Sequence, residues 1–451
     1  MFLPMKHMRA LLGPGAIVIL CCLLGAPSTG AAVGKRVSGN LVFWDQSRGF
    51  DAILASVDVF SEISPFWYRA EADGRVVPYT TASGGTYIDS SILSFLRAHG
   101  ILVLPTVANI INGVWDGAAV STIIADPQLR AVNITNLVNL AITGGYDGID
   151  LDYENLRATD RTAFTTFVRE VASALHAQGK LLTVNVYAKT SEPGTWDGPR
   201  AQDWQAIGQV ADQVRLMTYE YSWSTSSAGP ISPVSWVNDV IAFARTQIAP
   251  QKIMQGVPFY GYDWVGQRGT DIVWTQAMAL ANQYSAPIQW DSASASPWFE
   301  YRAGSTRHTV WFENRASVDA KLRVAAANGI GGITVWRLGG EDPDNWEAIR
   351  SRFGGTPPAP DTTPPTIAIT SPLDGAVIAR KQRIEAQATD NVAVARVDFY
   401  VNGSLLSSDT AAPYAVWWNT RRALSGANVI DAVAYDTTGN SSSARVTVLS
   451  R

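Results

Sequence analysis

From residue 41 to residue 353 the hydrophobic period switches repeatedly between two and 3.6, and this alternation constrains the fold more than any other feature. Strand-like runs fall at 41–44, 57–67, 101–106, 146–154, 181–187, 214–219, 252–259 and 332–336. Helical patterns answer most of them, at 91–97, 129–142, 162–177, 204–210, 234–246, 317–327 and 344–353. A strand that feeds a crossover helix finds a parallel neighbour, so the pattern predicts an α/β fold with parallel strands covered by helices. Eight such runs predict a closed (β/α)8 TIM barrel over 32–353, with an open doubly wound sheet as the alternative. Residues 262–312 break the rhythm with many Trp, Ser and Pro and read as an insertion after strand seven. Pro357, Pro358, Pro360, Pro364 and Pro365 mark a stiff linker at 354–365. Beyond it, residues 366–451 carry short strand patterns and the hairpin signal Asn402-Gly403, which predict an all-β immunoglobulin-like sandwich.

One of the eight runs is chemically unusual. Tyr146-Asp147-Gly148-Ile149-Asp150-Leu151-Asp152-Tyr153-Glu154 alternates acids with apolar residues. Strand geometry sends Asp150, Asp152 and Glu154 to one face and Ile149, Leu151 and Tyr153 to the other. Three carboxylates on one face of a buried strand repel one another and resist desolvation, a cost found chiefly where chemistry needs it. The C-terminal ends of barrel strands carry active sites, and Glu154 ends the fourth. Asp152 behind it can hold Glu154 protonated, as a general acid at neutral pH requires. Glycosidic bond cleavage is the matching reaction, because a carboxylic acid must protonate the leaving oxygen. The second carboxylate of such a pair should lie across the scissile bond, which Asp152, on the same strand and face, cannot do. Asp263 past strand seven and Glu220 past strand six are candidates. Otherwise the nucleophile is the substrate's own 2-acetamido oxygen, with Asp152 orienting the acetamido nitrogen.

Asp147-x-x-Asp150-x-Asp152-x-Glu154 at the end of a fourth strand resembles the signature of family-18 glycoside hydrolases, the chitinase-like enzymes. The likeness extends to Leu216-Met217-Thr218-Tyr219 and to Gly332-Ile333-Thr334-Val335-Trp336. The resemblance implies Glu154 as acid/base, Asp152 as acetamido partner, Asp150 as its support and Tyr219 as hydrogen-bond donor to the acetamido oxygen. It makes Trp336 the floor beneath the reacting sugar and implies β-1,4-linked N-acetylglucosamine glycans, in chitin oligosaccharides or peptidoglycan, as substrates. Gly256–Trp264 and Trp336–Pro343 are similar to bacterial members related to spore-cortex and cell-wall hydrolases. Two departures stand out: the third strand reads Pro105-Thr106-Val107-Ala108-Asn109, and Glu220 stands where Asp usually follows the strand-six Tyr. Asp147, Glu220, Phe43, Asn109, Tyr187 and Tyr262, at or near strand ends or within the signature, complete the expected substrate-binding set.

The N-terminus carries Lys6 and Arg9, an apolar run at 17–24 and small residues at 28–32, the order of a secretory signal peptide, expected over 1–31. No apolar run reaches the length of a membrane span. Cys21 and Cys22 both lie within that peptide, so the mature chain is expected to have neither disulfide nor thiolate metal site. Nothing in the pattern calls for a metal or an organic cofactor. Removing 1–31 deletes two cations and no acid, moving the formal charge from -4 to -6, and no basic run suggests nucleic acid. The expected location is secreted or cell-envelope associated. Sixteen Trp and fifteen Tyr serve either packing or stacking against sugar rings. Trp417-Trp418 in the last domain is expected to put one ring into the core and leave the other incidental. A catalytically silent glycan-binding protein on the same barrel is the competing functional class.

Overall fold

The computed structural model describes residues 35–450 apart from 355–361, 379, 391–393, 411, 423, 424, 437 and 438. The expected signal peptide and most of the expected linker lie outside the described residues.

Eight parallel strands close into a barrel: β1 (Arg36–Val42), β2 (Glu62–Phe66), β3 (Thr106–Ala108), β4 (Gly148–Asp152), β5 (Leu181–Tyr187), β6 (Gln213–Met217), β7 (Ile253–Pro258) and β8 (Gly332–Trp336). Closure is made by β1, which pairs with β2 on one side and with β8 on the other, in register from Arg36↔Gly332 to Gly39↔Val335. Together with the pairing of Leu102–Val103 to β2 and of Tyr68–Ala70 to β3, it excludes the open sheet. Between β2 and β4 the wall is completed by two short strands, Tyr68–Ala70 and Leu102–Val103. Helices cover the outside, and aspartates start several of them. Asp89, Asp126 and Asp203 accept backbone N–H groups in the first turns of Ser90–Ala98, Pro127–Thr143 and Trp204–Val210.

Two strand expectations need correction. The first strand runs Arg36–Val42, while Phe43–Asp45 form a 3-10 turn. The second is Glu62–Phe66, preceded by the helix Gln46–Ala55 and a 3-10 turn at Val57–Val59. The physical reason is common to both: their inward residues Ser38, Asn40, Glu62 and Ser64 are polar yet buried, so half of each strand is invisible to a hydrophobicity reading.

This polar interior runs through the barrel. Along β4, β5 and β6 the outward residues Ile149, Leu151, Val184, Val186, Val214 and Leu216 are fully buried under the helices in one continuous core. The inward residues Asp150, Thr183, Asn185, Gln213 and Arg215 are buried as well. Arg215 bridges the interior, 2.8 Å from Glu62 Oε1 and 3.0 Å from Asp150 Oδ2, and donates to Ser64 Oγ at 2.8 Å. Gln213 donates to the other Glu62 oxygen at 2.7 Å. One buried cation therefore balances two buried acids.

After β7 the insertion forms an antiparallel sheet of five strands: Gly261–Val265, Arg268–Ile272, Gln289–Asp291, Ser296–Ala303 and Thr306–Trp311. With the helix Trp274–Gln283 it has its own core around Phe299, Val310 and Phe312. The C-terminal segment folds as two facing sheets of three and five strands around Ile384, Phe399, Trp418 and Ile430. Trp418 is buried there, whereas Trp417 is exposed with Lys381 Nζ 4.6 Å above its ring.

Arg215→Met keeps much of the volume but leaves Glu62 and Asp150 uncompensated. It is expected to destabilise the barrel by about 3–5 kcal/mol, measured by urea unfolding monitored through tryptophan fluorescence.

Candidate active site

At the base of the site, Asp150 is saturated with donors. Its Oδ1 accepts from Thr183 Oγ1 at 2.6 Å and Asn185 Nδ2 at 2.9 Å. Its Oδ2 accepts from Thr106 Oγ1 at 2.8 Å and faces Arg215. Asp152, one pleat higher, is nearly as buried, but its Oδ1 is without a hydrogen-bond partner among the described residues. Burial pushes its carboxyl well above the usual carboxylate range. The neighbouring Glu154 and Asp150 push the same way, and Arg215 opposes them.

Glu154 sits just past β4. Its backbone is clamped by Asn109, which accepts from Glu154 N–H and donates to Glu154 C=O, both at 2.9 Å. Its Oε2 accepts from the Tyr187 hydroxyl at 2.5 Å. Burial raises the Glu154 carboxyl to about 7; the Tyr187 bond works against that rise, and Glu220 adds to it. A carboxylic acid that still holds its proton near neutrality is the property a general acid needs.

The opposite rim comes from β6 and β7. Tyr219 leads out of β6 and lies against Gly256 of β7, where a Cβ would sit 2.8 Å from Tyr219 Cε1 and 2.5 Å from Leu216 O. Any side chain at 256 would push this ring away. Glu220 follows with φ 60°, a left-handed conformation that costs a non-glycine residue about 1 kcal/mol or more. Its Oε1 accepts from the hydroxyls of Tyr260 and of Tyr262, the latter at 2.8 Å. Although Glu220 as a residue is exposed, desolvation raises its carboxyl, and the two phenol bonds pull it part of the way back. Trp336 ends β8 and packs edge-on against Phe66 at 5.8 Å and Trp44 at 6.3 Å.

These groups open onto one cleft of about 1150 Å³, lined by Asp152, Glu154, Tyr187, Tyr219, Glu220, Tyr262 and Trp336. That volume exceeds a drug-sized pocket. Asp150 lies beneath the cleft and reaches it through Asp152. Three expected substrate contacts are corrected. Asp147 is at the far end of β4, where its Oδ2 accepts from Val103 N–H at 2.8 Å and joins two strands. Phe43 turns inward to stack on Tyr79 at 4.4 Å, and its neighbour Trp44 meets the cleft instead. Asn109 is fully buried by its clamp on Glu154. Asp263 is also drawn away: adjacent strand residues face opposite sides, so with Tyr262 in the cleft, Asp263 accepts from Tyr301 at 2.6 Å inside the insertion and contacts His308.

Sequence reasoning missed the tryptophan walls. Trp44, Trp115, Trp196, Trp223 and Trp236 all line the cleft, and Trp44, Trp196 and Trp223 are nearly half exposed. The tryptophan count hinted at stacking surfaces, but only three-dimensional placement separates these rings from core ones such as Trp204 and Trp264.

Residues 106–342, which hold β3 through β8 and all of the acids above, match the model of the glycosyl hydrolases family 18. The chain belongs to that family. Residues 365–448 match the bacterial Ig domain. The cortical fragment-lytic enzyme of Bacillus anthracis is 34% identical over 64% of this chain and 67% of its own length. Its Bacillus subtilis counterpart is 30% identical over 71% and 72%. Among solved structures, a chitinase from Chromobacterium violaceum superposes with a TM-score of 0.66 at 28% identity, covering 71% of this chain and 100% of that one. The Bacillus cereus spore cortex-lytic enzyme SleL gives 0.65 at 28% identity, covering 73% and 76%. This family-18 hydrolase is thus a glycosidase related to cortex-lytic enzymes and chitinases.

The raised Glu154 has a consequence for stability. The unfolded chain ionises this carboxyl near 4.5 while the native state keeps the proton to about 7, so native stability falls across that interval. Glu154→Gln removes this loss. Its melting temperature is expected to match the parent's below pH 4.5, to rise above it progressively up to pH 7, and to keep a constant lead beyond.

Proposed function

We propose that this hydrolase is secreted and cleaves β-1,4 bonds of N-acetylglucosamine-containing glycans, chitin oligosaccharides or peptidoglycan, by a retaining, substrate-assisted mechanism. The observation that carries the reading is the contrast between the two upper acids. Glu154 holds a proton near neutrality beneath an aromatic cleft, and Asp152, which lines the same cleft, keeps one buried carboxyl oxygen without a partner among the described residues. A buried acceptor without a partner is the place for a ligand's donor, and the 2-acetamido N–H is such a donor.

Glu154 passes its proton to the glycosidic oxygen as the bond from C1 breaks, and the acetamido oxygen attacks C1 from the other face. Asp152 accepts the acetamido N–H, a hydrogen bond that strengthens as positive charge develops on that nitrogen in the cyclic intermediate. Asp150, fixed by three hydrogen bonds and the Arg215 ion pair, lies behind Asp152. Tyr219 donates to the acetamido oxygen, and Trp336 supports the sugar from below. Water then attacks C1, and Glu154 takes its proton, so configuration at C1 is retained. A protein nucleophile fits less well. Asp263 is bound within the insertion, and the Glu220 carboxyl is desolvated and occupied by two phenols. The relatives' names, cortical fragment-lytic enzyme and chitinase, support the substrate class, and residues 1–31 would supply the secretion signal.

Glu154→Gln is expected to lower hydrolysis of a fluorogenic N-acetylglucosamine oligomer by about 100-fold or more. Parental turnover would refute the assignment. With the parent enzyme, the de-N-acetylated oligomer is expected to stay uncleaved; equal rates on both substrates would rule out substrate assistance.

A further inference from the structure

Tyr187 is the last residue of β5, and the strand's period of two aims it inward above Thr183 and Asn185, the residues that hold Asp150. Its hydroxyl donates to Glu154 Oε2 at 2.5 Å and accepts from Asn155 N–H at 3.2 Å. Asp152, the neighbour expected to serve the acid, leaves Oδ1 without a partner among the described residues. Tyr187 is held at its backbone and against its ring. Tyr187 N–H donates to Gln202 Oε1 at 2.8 Å, and Trp196 packs edge-on at 4.5 Å. Gly198 leaves room for both rings, since a Cβ there would meet Trp196 at 2.4 Å and Tyr187 at 2.7 Å. The loop carrying Trp196 and Gly198 is pinned by buried Lys189, which donates to Gln202 O at 2.6 Å and Pro199 O at 3.2 Å and pairs with Glu192 at 2.9 Å. A wall this firmly tied presents the hydroxyl as a preformed donor.

We propose that Tyr187 is a positioning residue for the acid/base: it occupies Oε2 of Glu154, leaving Oε1 to carry the transferable proton, and it stabilises the carboxylate left when that proton departs. The proposal rests on the reading of Glu154 as acid/base. When the O–H bond at Oε1 breaks, its electron pair stays on the carboxylate and its proton ends on the leaving-group oxygen. The contact from Tyr187 thereby changes from a neutral hydrogen bond to a stronger charge-assisted one. When water delivers its proton back to Glu154, the contact relaxes. Tyr187 transfers no proton itself, because burial and the adjacent Glu154 push its phenol far above the usual range. An interaction that strengthens towards the transition state acts on kcat.

Tyr187→Phe in the full chain tests this with pH–rate profiles on the N-acetylglucosamine oligomer. The expected result is a kcat at the optimum lowered about 10- to 100-fold with KM within about threefold, and an alkaline limb moved to higher pH, because the lost donor favoured the ionised acid. A parental kcat overturns the proposal. So does a lowered kcat with an unmoved alkaline limb, which is what loss of packing alone would give. Thermal unfolding checks that the variant is folded. If it is not, Gly198→Ala takes its place, since the added methyl displaces the phenol without deleting it; the same upward move of the limb is expected, and a parental limb overturns the proposal. Parental turnover by Glu154→Gln would defeat the reading of Glu154, whereas an inactive Glu154→Gln beside a parental Tyr187→Phe profile would defeat only the role of Tyr187.

Discussion

The ion cluster at the centre of the barrel is the constraint on which the remaining chemistry depends. Arg215 is fully buried between Glu62 of β2 and Asp150 of β4. A desolvated cation tolerates that position only when paired, and two buried acids tolerate it only with a cation between them. The cluster joins opposite walls of the barrel and fixes Asp150. Asp150 in turn sits under Asp152, and the repulsion between the two helps keep the upper carboxyl protonated. Charge deep in the barrel thereby helps to hold a proton at the floor of the cleft.

The barrel's two faces divide the work. Outward, aliphatic side chains pack under the helices and supply the stability. Inward, a ladder of polar groups carries the acids up to a rim where backbone clamps and phenols take over. The strain at Glu220 and the Asp152 oxygen without a partner among the described residues both occur at this rim, where departures from comfortable packing are tolerated for function.

Much of this was legible in the sequence. Alternation along β4 displayed Asp150, Asp152 and Glu154 as one face, and the strand–helix rhythm displayed the barrel. What stayed hidden is instructive. Arg215 and Glu62 are 153 positions apart, and no local period links them. Ser38 and Asn40 made β1 look too polar for a strand, which shifted its boundary by several residues and put Phe43 at the rim in place of Trp44. Asp147 shares the signature yet lies at the opposite end of the strand from Glu154. Asn109 was found by its position, but its clamp on the Glu154 backbone needs two chain segments in register. The insertion showed itself only as a loss of rhythm, since its antiparallel strands have mixed faces and share one helix, Trp274–Gln283, among five of them.

The strand Gly261–Val265 sends Tyr262 to the cleft and Asp263 to the insertion's interior, on either side of one pleat. A one-residue slip in that hairpin exchanges the faces. One of the two phenols that hold Glu220 would then give way to a carboxylate facing the cleft. Whether a phenol or a carboxylate stands beside Glu220 is thus set by the register of a surface hairpin, outside the barrel and without any change to the residues of β4.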